Sequence, residues 1–244
     1  MAVSPAPFDL RTLPGLLQVP AWPPAAPFLP CLRALAAGPV PVHLLGLPAD
    51  PEPWLALLEP AASGERRARA ARYRFRIDAL RCLAAEALLR HALGERHGLP
   101  AAAIRLAAEP DGKPWLPDHP GIHFNLSHSG PWVACAVHDG PVGLDVEEVR
   151  SRDSLPAERV LAPGEFRRFQ ALPPAPARDY FYRLWTLKES LLKAMGTGLG
   201  LDPRRIALDL DGPDPAATLD GAPLAPWRLA ELPMPGAARA ALCR

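Results

Sequence analysis

Trp185-Thr186-Leu187-Lys188-Glu189-Ser190-Leu191-Leu192-Lys193 carries two lysines and a carboxylate on a helix-like pattern. It is read together with Val142-Gly143-Leu144-Asp145-Val146-Glu147, where alternating apolar residues indicate a strand. On that strand Asp145 and Glu147 stand at i and i+2 and share a face. On the helix Glu189 and Lys193 stand at i and i+4 and share a side, with Trp185 one turn upstream. Strand packed on helix would gather three carboxylates and two ammonium groups, Lys188 and Lys193. Hard oxygen ligands of this kind suit Mg²⁺ or Mn²⁺, and Mg²⁺ commonly combines one or two carboxylates with waters and substrate phosphates. The pattern predicts a diphosphate substrate. Taken alone, Asp-x-Glu also describes a solvated strand face, and a Lys/Glu helix an ordinary surface helix. Trp185, Leu187, Leu191, Leu192 and Met195 make the helix too apolar for full exposure, and Gly196 and Gly198 supply a stop.

Upstream, Gly112-Lys113-Pro114 precedes His123-Phe124-Asn125-Leu126-Ser127-His128-Ser129-Gly130, a strand pattern running into small hydrogen-bonding residues. Ser127, His128 and Ser129 all have atoms that can contact phosphate. Further upstream, Glu65 to Arg76 is the only dense basic run. If residues 65–96 form one unbroken helix, Arg66, Arg69 and Arg81 fall within an arc of about 120° and converge on one anion. A nucleic-acid reading of the arginines lacks support, because the formal net charge is only +1 and no aromatic platform accompanies the run.

The ordered blocks GKP, FNLSHSG, GLDVEE and FYRLWTLKESLLKAMGTGL resemble those of the 4′-phosphopantetheinyl transferases, specifically the surfactin-synthetase (Sfp-like) type, over roughly residues 60–200. The resemblance implies Mg²⁺-dependent transfer of phosphopantetheine from coenzyme A to a serine of an apo acyl or peptidyl carrier protein, releasing adenosine 3′,5′-bisphosphate. It implies Asp145, Glu147 and Glu189 as metal ligands, Lys188 and Lys193 facing the diphosphate, and Ser127 and His128 on the 3′-phosphate. Lys113 and Pro114 match the loop beside the adenine, and Arg66, Arg69 and Arg81 the positions that hold coenzyme A phosphates. The first two of those arginines replace the family's usual lysines, which keeps charge and alters geometry. Glu189 is the implied base, acting directly or through a metal-bound water. The attacking serine belongs to the partner, and the chain shows no nucleophile elbow of its own. The carriers would be those of fatty-acid, polyketide or nonribosomal-peptide synthases. Two other readings stand beside this one: a metal-dependent phosphodiesterase or nuclease, which needs no carrier protein, and a non-catalytic coenzyme A or carrier-binding module, which would lack an acidic ligand.

Composition frames the fold. The chain has 244 residues, 49% hydrophobic and 22% charged, enough for a sizeable core without staples. Of 33 prolines, fourteen lie in residues 1–60, interrupting that region too often for a membrane span or signal-peptide core. Residues 1–40 are read as an irregular Pro/Ala-rich extension. Cys31, Cys82, Cys135 and Cys243 have no Cys-x-x-Cys spacing and are read as reduced thiols of a cytoplasmic, monomeric protein. Zinc ligation by His119, His123 and His128 loses to the phosphate reading for want of ligand spacing.

Patterning predicts strands at 42–47, 122–127 and 132–137, a turn at Asp139-Gly140 leading into the metal strand, and a helix over 157–171. A loop at Pro173, Pro174 and Pro176, the catalytic helix over 178–195, and strands near 205–211, 226–231 and 238–243 follow. The fold class expected is α+β. The family resemblance implies a pseudo-dimer of two similar halves, 41–142 for coenzyme A and 143–244 for the metal and catalytic helix, with the active site at their interface.

Overall fold

The computed structural model describes residues 32–35, 40–108, 113–150 and 156–244. In chain order its elements are β1 (Leu32–Leu35), β2 (Val42–Gly46), α1 (Glu52–Leu58), α2 (Gly64–Ala70), α3 (Arg76–His97), β3 (Ala107–Ala108), β4 (Pro114–Trp115), β5 (His123–Ser129), β6 (Trp132–His138) and β7 (Gly143–Glu148). There follow α4 (Ala157–Val160), α5 (Pro163–Ala171), α6 (Pro174–Met195), β8 (Ile206–Asp209), β9 (Ala216–Leu219), β10 (Ala222–Pro223), β11 (Leu229–Leu232) and β12 (Ala238–Cys243). The mixture of helices and antiparallel strands is α+β, as expected.

Two sheets matter for the site. The first has the order β1-β2-β6-β5 and the second β11-β12-β7, all antiparallel. Strand alternation sorts their side chains. Leu45, Val133, Cys135 and Val137 pack with Leu80, Ala84 and Leu88 of α3. The intervening residues Val42, Leu44, Ala134 and Ala136 pack instead with Leu144, Val146, Ala240 and Leu242 of the second sheet. On that sheet's far side, Ala241 and Cys243 meet Leu187, Leu191 and Leu192 of α6. The order of layers is therefore α3, first sheet, second sheet, α6.

β7 approaches α6 closely because its first residue has no side chain. A Cβ on Gly143 would overlap the carbonyl oxygen of Ser190 and the amide of Ala194. The helix itself stops at Gly196, in the left-handed region at φ 71°, where the amide of Thr197 bonds back to the carbonyl of Leu192.

Several expectations are corrected. The helix predicted over 65–96 is broken at residues 71–75, so Arg66 and Arg69 lie on α2 while Arg81 lies on α3, and no single helical arc holds the three. Ser63 caps α2, its hydroxyl oxygen accepting from the Arg66 amide at 3.2 Å. The helix predicted over 157–171 is interrupted at Leu161-Ala162, ahead of Pro163. The loop predicted at Pro173, Pro174 and Pro176 is instead the start of α6: Pro174 and Pro176 occupy its first turn, where missing N–H groups cost nothing. The extension read as irregular contains β1, which pairs with β2; residues 1–31 and 36–39, with Cys31 and Gly112, lie outside the described residues. Cys82, Cys135 and Cys243 are free and buried. Among the described residues, no helix is long and apolar enough to cross a membrane.

Replacing Gly143 by Ala is expected to cost at least the roughly 1–3 kcal/mol of core overpacking, because the obstructing atoms are backbone and cannot turn aside. Gly121→Ala, at a position with open space around it, is the control. Urea denaturation of both variants measures the difference.

Candidate active site

The site begins with an unpaired strand edge. Among the described residues β7 bonds to β12 on one side only, which leaves the amides of Leu144, Val146 and Glu148 on its other edge without a strand partner. Three alternate side chains of β5 answer them. Asn125 Oδ1 accepts from the Leu144 amide at 3.0 Å, Ser127 Oγ from Val146 at 3.1 Å, and Ser129 Oγ from Glu148 at 3.1 Å. The two hydroxyls then donate onward, Ser127 to Asp145 Oδ1 at 3.0 Å and Ser129 to Glu147 Oε2 at 2.6 Å. One polar ladder thus joins the sheets and orients both carboxylates.

α6 supplies the opposite wall. Lys193 Nζ donates to Asp145 Oδ1 at 2.6 Å, to the Leu144 carbonyl at 3.1 Å and to Ser127 Oγ at 3.3 Å. The Trp185 indole N–H reaches Glu147 Oε1 at 3.4 Å. Leu126, Ser127, His128, Asp145, Glu147, Trp185, Glu189 and Lys193 line an open cleft of about 270 Å³. The strand carboxylates, Glu189 and Lys193 therefore meet, as the sequence spacing predicts.

The cleft is electrostatically unfinished. Three carboxylates face one ammonium group, and two buried oxygens, Asp145 Oδ2 and Glu189 Oε1, have no hydrogen-bond partner among the described residues. A buried acceptor left this way is costly. Burial pushes the Asp145 carboxyl up to about 6 against the opposing pull of Lys193, with Glu147 and Glu189 adding repulsion. Glu189 is raised too, by burial first, with Lys193 opposing and Glu147 reinforcing the shift. An all-oxygen set with two unsatisfied buried acceptors fits a hard divalent cation.

Lys188 is not in the cleft. Five residues from Lys193, or about 140° around the helix, its side chain is fully buried on another side of α6. Its ammonium donates to Glu165 Oε2 at 2.6 Å and to the carbonyls of Val160 at 2.9 Å and Pro203 at 3.1 Å, which uses all three protons. Glu165 is satisfied in turn, accepting also from the amides of Ala162 at 2.7 Å and Leu208 at 2.8 Å. The expectation that Lys188 faces the diphosphate is thus corrected: it fastens α6 to α4, α5 and β8.

Ser127 does reach the cleft, but its hydroxyl is filled by Asp145, Val146 and Lys193. It has no capacity left for a phosphate oxygen, a second correction. His128, on the other face of β5, is exposed. The surrounding chain and then the Arg81 guanidinium hold its imidazole below the ordinary range. Arg81 donates twice to the Gly130 carbonyl, at 2.6 and 2.9 Å, bracing the β5–β6 turn beside His128.

Arg66, Arg69, Lys113 and Pro114 do not line the cleft. Arg66 Nε lies 3.5 Å from the buried carboxylate of Glu86. Arg69 is exposed and hydrogen-bonded to Tyr73. Pro114 belongs to β4, paired with β3, and Lys113 precedes it. Sequence reading missed Asn125 and Glu165, and read Ser129 as a possible phosphate contact where it holds Glu147 and the Glu148 amide. Asn125 carries a signal in retrospect: Asn125-x-Ser127-x-Ser129 puts polar residues on one strand face at period 2. Glu165 carries none, because its partner is distant in sequence.

Comparison with known proteins agrees with this arrangement. Residues 141–243 match the family model described as the 4′-phosphopantetheinyl transferase superfamily, and residues 48–139 match that of the 4′-phosphopantetheinyl transferase N-terminal region. A Bacillus pumilus 4′-phosphopantetheinyl transferase, psf-1, is 43% identical over 64% of this chain and 67% of its own length. Sfp of Bacillus subtilis strain 168 is 37% identical over 62% and 68%, and HetI of a Nostoc species 37% identical over 78% and 82%. The chain belongs to the 4′-phosphopantetheinyl transferase family, of the Sfp-like type, and is a transferase of that class.

Removing Lys188 separates its structural part from chemistry. Lys188→Ala leaves Glu165 buried without its cation, and a loss of about 3–5 kcal/mol is expected on that account. Guanidinium unfolding of the variant measures it. The raised Asp145 carboxyl gives a second expectation. A folded-state value above the unfolded one contributes stability below the ordinary aspartate range, and that contribution is lost as pH rises through about 6. In cation-free buffer, Asp145→Asn should therefore gain on the parent chain as pH rises from about 4 to about 7, followed by thermal melts.

Proposed function

We propose that this chain moves the 4′-phosphopantetheine group of coenzyme A to a serine hydroxyl of an apo acyl or peptidyl carrier protein, using a divalent cation held by Asp145, Glu147 and Glu189. The observation that carries the reading is the pair of partnerless buried oxygens, Asp145 Oδ2 and Glu189 Oε1, in a cleft that also holds Lys193. Mg²⁺, or Mn²⁺ in its place, would neutralise charge on the diphosphate oxygens.

The reaction forms a bond from the carrier serine oxygen to the phosphorus bearing the pantetheine and breaks that phosphorus's bond to the bridging oxygen. Adenosine 3′,5′-bisphosphate leaves. Glu189 accepts the serine proton. Lys193, only 27% exposed, adds fixed positive charge where negative charge grows on the leaving group. Trp185 and Ser129 hold Glu147 from two sides. Lys188 acts at a distance by fixing the helix that carries Glu189 and Lys193. His128, with Arg81 behind it, reads the 3′-phosphate, and Arg66, Arg69, Lys113 and Pro114 contribute to holding coenzyme A.

We read residues 41–142 and 143–244 as two like halves with the cleft at their junction. In support, each has a sheet with a 22-residue helix on its outer side, and β5 of the one and β7 and α6 of the other supply the lining. The cleft is completed within one chain, in keeping with a monomer. A phosphodiesterase or nuclease has no observation in its favour here.

The deciding experiment is mass spectrometry of an apo carrier protein after incubation with this chain, coenzyme A and Mg²⁺, where a phosphopantetheine-sized gain is expected. Release of bisphosphate with an unmodified carrier would support hydrolysis instead. Asp145→Ala and Glu189→Ala should each slow transfer by at least about 100-fold, the scale for one lost transition-state contact, and EDTA should stop it reversibly. For His128→Ala the comparison is KM for coenzyme A against KM for 3′-dephospho-coenzyme A. A rise confined to coenzyme A is expected, and an equal rise in both would assign His128 to the shape of the strand.

A further inference from the structure

A second group of ligating atoms lies away from the cleft. His43 on β2 and His91 and Glu95 on α3 offer one ligand atom each, all within 4.8 Å of one another. His43 Nε2 is 3.4 Å, and His91 Nε2 3.8 Å, from the same carboxylate oxygen, Glu95 Oε2. The two rings stand edge to face with centroids 5.5 Å apart. We propose that His43, His91 and Glu95 form a second metal site, a Zn²⁺-binding His₂Glu cluster that clips helix α3 to the first sheet.

Ligand chemistry separates it from the cleft. The three carboxylates of the cleft offer oxygen and suit Mg²⁺, whereas two imidazole nitrogens and a carboxylate suit Zn²⁺. The spacing fits as well. With Zn–N and Zn–O lengths of about 2.0–2.2 Å, the edges of a coordination tetrahedron measure roughly 3.3–3.6 Å. The observed 3.4 Å lies in that range and 3.8 Å just beyond it. Charge-assisted hydrogen bonds between imidazolium and carboxylate would be shorter, about 2.7–2.9 Å.

Burial grades outward across the three side chains, 6% exposed for His43, 15% for His91 and 48% for Glu95. The open side at Glu95 gives the ion a route in and a fourth position for water. At i and i+4, His91 and Glu95 share one face of α3, so an ion bound there ties a full helical turn to β2, which hydrogen-bonds to β6.

The test uses the full chain, stripped with EDTA and titrated with Zn²⁺ in excess Mg²⁺ so that the cleft is occupied. Bound zinc after gel filtration and the thermal midpoint are the readouts. One Zn²⁺ retained per chain and a rise in midpoint are expected. Glu95→Gln, an exposed change that leaves the fold intact, and His91→Ala should weaken binding by at least the roughly 10- to 100-fold seen for lesser changes at metal sites. Asp145→Ala should leave it unchanged. Co²⁺ in place of Zn²⁺ should give a d–d absorption that His91→Ala removes. Failure of the parent chain to retain zinc, equal retention by Glu95→Gln and His91→Ala, or loss on Asp145→Ala would each overturn the assignment.

Discussion

Three amides on the free edge of β7 must find acceptors, and the way they do so organises this protein. A neighbouring strand would have satisfied them with backbone carbonyls. Here Asn125, Ser127 and Ser129 reach across from β5 instead. Each buried amide left unpaired would cost about 1–3 kcal/mol. Three together approach the 5–15 kcal/mol that typically holds a whole domain folded. The side-chain ladder also spaces the two strands farther apart than backbone pairing would, and its hydroxyls keep a proton to give. Those protons go to Asp145 and Glu147, so the contact that joins the two sheets is also the one that aims the acids.

The same division of labour appears along α6. One side is bolted down by Lys188, whose three protons and whose partner Glu165 are fully committed. Another side packs Leu187, Leu191 and Leu192 against β12. A third presents Trp185, Glu189 and Lys193 to the cleft. Fixing the helix from behind helps the cleft-facing acids keep unfavourable company: Glu189 holds an unpartnered oxygen near Glu147 while other contacts secure the helix. Gly143 sets how near β7 comes, and so the separation of Asp145 from Glu189.

Electrostatic strain in the cleft is the functional counterpart of this rigidity. Lys193 hydrogen-bonds to Asp145 and only partly offsets Glu189, and the rise of both carboxyls above their ordinary values records how poorly burial tolerates the remaining charge. A site that bound its own charges perfectly would have nothing to offer a cation or a diphosphate. The cluster at His43 contrasts with it: two imidazoles and one carboxylate offer mixed nitrogen and oxygen chemistry.

The sequence by itself determined the class of the fold, the strand and helix of the cleft, and the pairing of Asp145 with Glu147 and of Glu189 with Lys193 on shared faces. The family followed from the resemblance of four ordered motif blocks. The pairings follow from local periodicity, because i and i+2 on a strand or i and i+4 on a helix fix a shared face before any packing is known. The stop at Gly196 was legible for the same reason. Tertiary structure alone decided which of two lysines on α6 faces the cleft, since a charge is equally at home in a cleft or beside a buried Glu165 and sequence spacing names neither partner. It also decided that the arginines split between α2 and α3, and that the prolines ahead of α6 start a helix rather than prevent one. Ser127 shows the limit most clearly: its hydroxyl suits a phosphate as well as it suits an amide, and only the nearness of β7 across the sheet boundary determined which it serves.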